Sequence, residues 1–519
     1  MPLVGSTWLG RWRNALRNEP VFFVLLTLHL AFPFATHFFP TLDGPAHLHN
    51  AQLLKELLLG NDVVRSTFSL HPLPVPNWLD HALLAAFLVV LPAWLSEKAL
   101  VLLYIAGMAF GFRRMLQVLA PERVMLAPLV FPLIHGCLFN MGFLNFSLGI
   151  VILFWIVAHG VVFFSQPDRR SYLLLVALAT ALYFANVLAF ALAAFVLGCA
   201  ALLHARALGG AVRDRIRTMV LLGTAFLPGL ICFALFQADV VFGAPDPPRP
   251  TQELIEWLLT ARPLVWYDYE AEGAIARWFP ILLGVLLLGR LLHRAPVTWC
   301  TFIFIPALIV LLVLYFTTPD SAQAGMMSDR YALLILLVFT IQAVLIAAPR
   351  WPAVVVNVAA GILSIALGYV QWTQGRGPLD QHTRDIHQLA VHVPDNSTVY
   401  PVNLSDNWLE AHLSNYLGVD KPLIILENYE ARLGWFPLRW KSGWTPPPCL
   451  GANIPYGVRC TPEAVARPAV GLYVLVYGDH QRLQDPGHSE LLLILERDFQ
   501  RMHTSPDGFA ALYAPNHPR

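Results

Sequence analysis

Apolar residues run through this chain in blocks of a length suited to crossing the ~30 Å hydrocarbon core of a bilayer. They lie at roughly 20–39, 79–95, 98–118, 124–138, 143–164, 171–185, 187–204, 218–237, 278–292, 297–317, 331–348 and 352–371. Beyond residue 371 the sequence turns polar and proline-rich, with short periodic elements. There Asp380 is placed to cap a helix running to about His392. Ser405 is placed to cap a second, with Trp408, Leu409, His412, Leu413 and Tyr416 as a stripe and Gly418 closing it. Thr398–Asn403, Leu423–Leu426 and Leu472–Tyr477 read as strands. Asp507-Gly508 reads as a hairpin turn between Phe499–His503 and Phe509–Tyr513. The expected fold is a polytopic α-helical membrane domain over 1–371 followed by a small α/β domain over 372–519.

Composition supports the membrane reading. Of 519 residues, 57% are hydrophobic and 13% charged, where a soluble chain carries about 25% charged residues. The net charge of +1 gives no electrostatic basis for nucleic-acid binding. Cys137, Cys199, Cys232 and Cys300 lie in apolar stretches and read as small hydrophobes. Cys449 and Cys460 lie in the polar tail and could close a disulfide loop in an oxidising compartment.

The positive charges order the spans. Arg11, Arg13 and Arg17 precede the first apolar run, which reads as an uncleaved signal anchor with a cytoplasmic N-terminus. If 79–95 also crosses, the clusters at Arg113–Arg114–Arg123, Arg169–Arg170, Arg206–Arg217 and Arg290–Arg294 fall outside. If it does not, every one of them falls inside with Arg350. The expectation is eleven spans, with 79–95 re-entrant or interfacial behind its polar, proline-rich approach Pro72 to His81. The outer loops are then 40–97, 238–277 and 318–330, and the tail is extracytoplasmic.

Ionisable residues are nearly absent from the spans, apart from His29, His135 and His159, which argues against ion-coupled transport. The chemistry lies in the outer loops. Asp43 follows the first span directly, with His47 and His49 just beyond it. Pro45 would open an interfacial helix whose Leu53, Leu54, Leu57 and Leu58 face the membrane, leaving Asp43 ionised at its positive end. Asp43 is the candidate general base, supported by His47, His49 or Asp80; the structural alternative for Asp80 is a helix cap. No established metal-ligand spacing occurs, so no metal is assigned, though a divalent metal is compatible with these residues. Arg330, Arg262 and Arg277 are candidates to hold a phosphate, with interface anchoring as the alternative for Arg330. Tyr267, Asp268 and Trp78 are candidate sugar or acceptor contacts, or members of an aromatic belt.

Asp43 after the first span, the long outer loop, and Pro76-Asn77-Trp78 before an apolar segment give the chain a layout that resembles GT-C-type glycosyltransferases. Phe139-Asn140-Met141-Gly142-Phe143-Leu144-Asn145-Phe146 and Tyr183-Phe184-Ala185-Asn186 look like landmarks of bacterial members related to protein mannosyltransferases and the lipid A aminoarabinose transferase. The resemblance implies a multi-pass enzyme of a bacterial inner membrane. It would move a sugar from a polyprenyl-phosphate donor to a lipid or glycan acceptor on the non-cytoplasmic face, with inversion. The chain lacks a WWDYG-type motif, which argues against protein N-glycosylation. The rival expectation is a non-enzymatic membrane protein that assists polysaccharide or envelope assembly or export.

Overall fold

The computed structural model describes residues 18–207, 212–238, 247–292, 298–320, 325–347, 353–443 and 471–516. Cys449 and Cys460 lie outside them. The chain divides into two compact units. One comprises Met1–Phe32, Leu102–Asn140 and Phe146–Gln374; the other comprises Pro33–Val101, Met141–Asn145 and Gly375–Arg519. Residues 33–101 and 141–145 thus group with residues 375–519 in the second unit.

The first unit is helical. Among the described residues, eight helices of the whole chain are long and apolar enough to cross a membrane: Ala93–Leu119, Leu144–Ser165, Val187–Ala207, Val212–Gln237, Tyr269–Arg290, Trp299–Thr317, Met327–Ile346 and Ala353–His392. Pro20–Ala35 and Arg169–Ala185 are shorter apolar helices. The expected span at 124–138 takes a different form. Pro121–Leu133 winds as a 3-10 helix containing Pro128 and Pro132, followed by the short helix Cys137–Asn140. Each proline lacks an N–H and crowds the preceding turn, which breaks the α-helical ladder. At ~2 Å per residue this run still extends about 26 Å. Arg123, at its start, donates from Nε to Ala347 O at 2.8 Å and from a terminal nitrogen to Leu345 O at 2.6 Å, closing the last turn of Met327–Ile346. Asn186 breaks the apolar stretch 169–207 as expected. Its backbone is extended, and its side chain accepts from Ala189 N at 3.1 Å.

In the second unit, the segment expected to be re-entrant or interfacial contains the helix Leu79–Phe87. Its nine residues reach about 13 Å, less than half the hydrocarbon thickness. The tail carries a five-stranded sheet. Its strands are β2 (Thr398–Leu404), β3 (Ile424–Ile425), β5 (Leu472–Gly478), β6 (Phe499–Thr504) and β7 (Ala510–Pro515), in the order β3-β2-β5-β7-β6. β2 runs parallel to β3 and β5, whereas β7 is antiparallel to β5 and β6. The β6–β7 hairpin turns through Asp507-Gly508, with Gly508 at φ +79°. A separate antiparallel pair joins β1 (Phe68–Leu70) to β4 (Leu438–Trp440).

Three local expectations are corrected. The helix Gly44–Leu59 does not present Leu53 and Leu54 to lipid: both are buried, and Leu53 joins Val64, Phe68, Tyr400, Val402 and Val476 in the core. A leucine stripe has the same pattern whether it meets lipid or a sheet, and only its end, Leu58 and Leu59, is exposed. Asp380 lies within the helix Gly377–Gln388, and its Oδ1 accepts Phe38 N at 2.9 Å. Residues 408–418 form 3-10 turns, capped at Asn407, whose side chain accepts Leu409 N. Asn and Ser side chains compete for local backbone donors, which favours such turns over a regular helix.

Candidate active site

The second unit gathers four buried ionisable side chains. His47 comes from the helix Gly44–Leu59, Asp80 and His81 from Leu79–Phe87, and Glu430 from the turn after β3. His47 Nδ1 lies 2.8 Å from Asp80 Oδ2 and 3.4 Å from Glu430 Oε1. His81 Nδ1 lies 2.6 Å from Asp80 Oδ1, and its Nε2 lies 2.8 Å from Glu430 Oε2. The four therefore close a ring in which each imidazole meets both carboxylates. Buried charge is tolerated only when paired in this way. Burial alone would pull the His81 pKa down, but Asp80 and Glu430 outweigh it and carry it to about 10. Burial pushes Asp80 up, and His81 with His47 outweighs that, holding it well below the usual carboxylate range. His47 is raised in the same sense, against its own desolvation, by Glu430 and Asp80. Asn50 adds a donor to Glu430 Oε2 at 2.7 Å.

Asp43 stands at the start of the same helix as His47. The helix begins at Gly44, one residue before Pro45, so Asp43 occupies the cap position without making a side-chain cap bond. Its backbone is fixed instead: Asp43 N donates to Met141 O at 3.1 Å, and Gly44 N to Thr41 Oγ1 at 3.1 Å. Gly142 makes this approach achievable. It sits at φ +85°, and a Cβ there would fall 2.7 Å from Asp43 N and from Gly44 N. The expectation that the helix dipole keeps Asp43 ionised is reversed in direction. Burial raises its pKa, and the opposing effects of His412 and His47 do not cancel that. Tyr429 hydrogen-bonds the Asp43 carboxylate. Exposure separates the acids: the Asp43 side chain is 13% exposed, against 0% for Asp80 and 1% for Glu430. Asp43 can meet a substrate; Asp80 and Glu430 are enclosed.

Of the other expected residues in this unit, Asp80 joins the ring rather than capping its helix. His49 turns to the tail, with Nδ1 3.1 Å from Asn415 Oδ1 and Nε2 2.9 Å from Leu423 O, and burial lowers its pKa to about 4. A histidine so held packs the tail against the helix and does not assemble with Asp43 and His47 as ligands. Trp78 is half-buried at the start of Leu79–Phe87. For a divalent ion, His47, His81 and Glu430 bring one donor atom each within 4.8 Å of one another. Binding an ion there would require the His81 imidazole to release a proton.

The expected phosphate residues, with Tyr267 and Asp268, belong to the first unit. Arg262 donates to Val265 O at 2.5 Å and to the Tyr269 hydroxyl at 2.7 Å, and its guanidinium lies 4.4 Å from the Tyr269 ring centre and 5.4 Å from that of Trp257. Arg330 Nε donates to Gly325 O at 3.2 Å, with the guanidinium 5.6 Å from the Phe146 ring centre. Arg277 is exposed and donates to Ala274 O at 3.2 Å. Asp268 caps Tyr269–Ala276, accepting from Glu270 N and Ala271 N. The turn bearing Tyr267 is pinned by Glu272, a fully buried carboxylate that accepts from the backbone nitrogens of Trp266, Tyr267 and Asp268, each at 2.8 Å.

Sequence reasoning missed Glu430, His412, Glu427 and Tyr429. A usable signal was present. The acids of Leu426-Glu427-Asn428-Tyr429-Glu430 directly follow β3, and functional groups collect beyond the carboxyl ends of parallel strands.

No protein-family profile and no curated protein sequence matches the chain. Among solved structures, it is similar to ArnT from Cupriavidus metallidurans bound to undecaprenyl phosphate, with a TM-score of 0.52 and 11% sequence identity over 95% of this chain and 96% of that one. The chain therefore shares the fold of ArnT: a polytopic arrangement of apolar helices long enough to cross a membrane, with a C-terminal region that carries a sheet.

Proposed function

We propose that this protein is a membrane glycosyltransferase that moves a sugar from a polyprenyl-phosphate donor to a lipid or glycan acceptor on the non-cytoplasmic face. The observation that carries the reading is the contrast between Asp43 and the acids beside it. Asp43 is partly open and has a raised pKa, while Asp80 and Glu430 are sealed into an ion-paired ring. The ArnT fold supports the donor class, since that structure holds undecaprenyl phosphate.

The chemistry follows. An acceptor hydroxyl or amine attacks the anomeric carbon as its proton passes to the Asp43 carboxylate. The bond between that carbon and the phosphate oxygen breaks, and the electron pair leaves with the polyprenyl phosphate, which is a stable anion and needs no strong general acid. One displacement inverts the anomeric centre. Arg330, with Arg262 and Arg277, is assigned to the developing phosphate charge. Tyr267, Asp268 and Trp78 are assigned to the sugar or acceptor. The ring of His47, Asp80, His81 and Glu430 fixes the helix on which Asp43 sits. No metal is needed by this scheme.

The test is release of undecaprenyl phosphate from a panel of undecaprenyl-phosphate-linked sugars by the purified protein in the presence of membrane lipids and glycans. Acceptor-dependent release from one of them supports the proposal. Tight binding without turnover of any would favour a non-enzymatic envelope role.

A further inference from the structure

The helix Gly44–Leu59 is gripped from the tail by three consecutive residues. Asp43, itself in helical conformation at the cap, is followed by His47 and Asn50 at spacings of four and three, so all three lie on one face. Each meets a member of Asn428-Tyr429-Glu430, in the turn after β3. Asn50 and Asn428 exchange side-chain hydrogen bonds: Asn50 Nδ2 donates to Asn428 Oδ1 at 3.2 Å, and Asn428 Nδ2 donates to Asn50 Oδ1 at 2.6 Å. Glu430 meets His47 through Oε1 and Asn50 through Oε2. Tyr429 hydrogen-bonds the Asp43 carboxylate. The turn is itself fixed. Asn428 N donates to Ile425 O at 3.2 Å, Ala431 N to Asn428 Oδ1 at 3.1 Å, Arg432 N to Tyr429 O at 3.1 Å and Trp440 Nε1 to Asn428 O at 3.2 Å. All three of its gripping residues are buried.

We propose that this turn is a clasp that aims the general base, with Tyr429 as the positioning residue for Asp43. The inference rests on Asp43 being the base. Asp43 makes no side-chain cap bond, so its own helix does not orient its carboxylate. The Tyr429 hydroxyl supplies that orientation, and it is the donor of the pair. Burial first, and then Asp43, raise the tyrosine pKa well above its ordinary value, so the proton stays on the hydroxyl. The Tyr429 ring packs against the His412 imidazole, with centres 4.5 Å apart, and His412 Nε2 lies 3.7 Å from Asp43 Oδ1. Glu427 anchors that imidazole on its far side, with Oε2 3.1 Å from Nδ1. The hydroxyl also favours the ionised carboxylate. Burial is the largest influence on Asp43 and raises its pKa, as does Glu430; His412, His47 and the Tyr429 hydroxyl act the other way. A general base must be ionised and aligned within hydrogen-bond reach of the proton it takes. Tyr429 serves both needs through Asp43, which makes the tail a working part of the active site.

The test uses the full-length protein in detergent and the variant Tyr429→Phe, which keeps the ring against His412 and removes only the hydroxyl. Infrared difference spectra follow the protonated carboxyl band of Asp43, identified by its loss in Asp43→Asn. Its titration midpoint should rise by about 1 unit in Tyr429→Phe, the scale of one hydrogen bond to a charged group. A midpoint that stays in place overturns the clasp without reference to any donor. Transfer from an undecaprenyl-phosphate-linked sugar gives the second readout. The acid limb of kcat/KM should move up with the midpoint, and kcat on the plateau should fall about tenfold with donor KM unchanged. A lower kcat with the limb unmoved would mark a merely structural role and contradict the proposal. Tyr429→Phe at the parent kcat, with Asp43→Asn inactive, removes the clasp alone. Asp43→Asn at the parent rate removes the base assignment, and the clasp with it.

Discussion

Asn145 and Asp80 hold each other reciprocally: Asp80 N donates to Asn145 Oδ1 at 3.0 Å, and Asn145 Nδ2 donates back to Asp80 Oδ1. The exchange ties the short segment Met141–Asn145 to the ion-paired ring. That segment also receives Asp43 N and carries Gly142 against it.

Asn145→Ala should therefore destabilise the protein. It strips a donor from a buried carboxylate, a loss of roughly 1.5–3 kcal/mol for a hydrogen bond to a charged group. Thermal unfolding in detergent checks this. An unchanged Tm would mean that the ring does not depend on Asn145.

Gly142→Ala should lower transfer with little effect on donor binding. The substitution costs about 1–2 kcal/mol of backbone strain at positive φ, and the new methyl must displace the backbone at Asp43. The expected result is a kcat reduced at least about tenfold, since a shift of ~1 Å at a reacting group can cost about a hundredfold. Equal kcat for the variant and the parent would show that Asp43 is not positioned from this side.

Stability should have a broad pH plateau with limits set by the ring. The folded His81 pKa is raised to about 10, so its contribution is complete below the ordinary histidine value of 6.5 and is lost as pH rises through about 10. Asp80 is held low, so its contribution is present above the ordinary 3.8 and is lost as pH falls towards its depressed value. Asp80→Asn should narrow the plateau at the alkaline end, because His81 then loses the carboxylate 2.6 Å from its Nδ1. Unfolding midpoints measured from pH 4 to 10 test this; an alkaline limit that stays in place in the variant contradicts it.

The rate should carry an acid limb above the usual range for aspartate. Asp43 acts as a base only when ionised, and burial raises its pKa above 3.8. A kcat/KM profile with its acid limb at or below 3.8 would assign the limb to another group.

Much of this was legible from local pattern. The apolar blocks gave the long helices of the first unit, and in the second unit the helix Leu79–Phe87 is too short to cross. Alternation and Asp-Gly gave β2, β5 and the last hairpin. The acid after the first span stood out by position alone. What pattern does not encode is partnership across the chain. His47 and Glu430 are adjacent in space and distant in sequence, as are His412 and Asp43. The helix Gly44–Leu59 was misread for the same reason, because Leu53 meets a sheet built from residues after 397. Pro128 and Pro132 did mark a departure from helix, but a run of buried apolar residues masked it.

The most direct test of the account is the Asp43→Asn variant, compared with the parent protein for transfer from an undecaprenyl-phosphate-linked sugar at matched expression and Tm. Undecaprenyl phosphate should still bind while sugar transfer falls at least about a hundredfold, the scale of a lost general base. A variant that transfers sugar at the parent rate would contradict it.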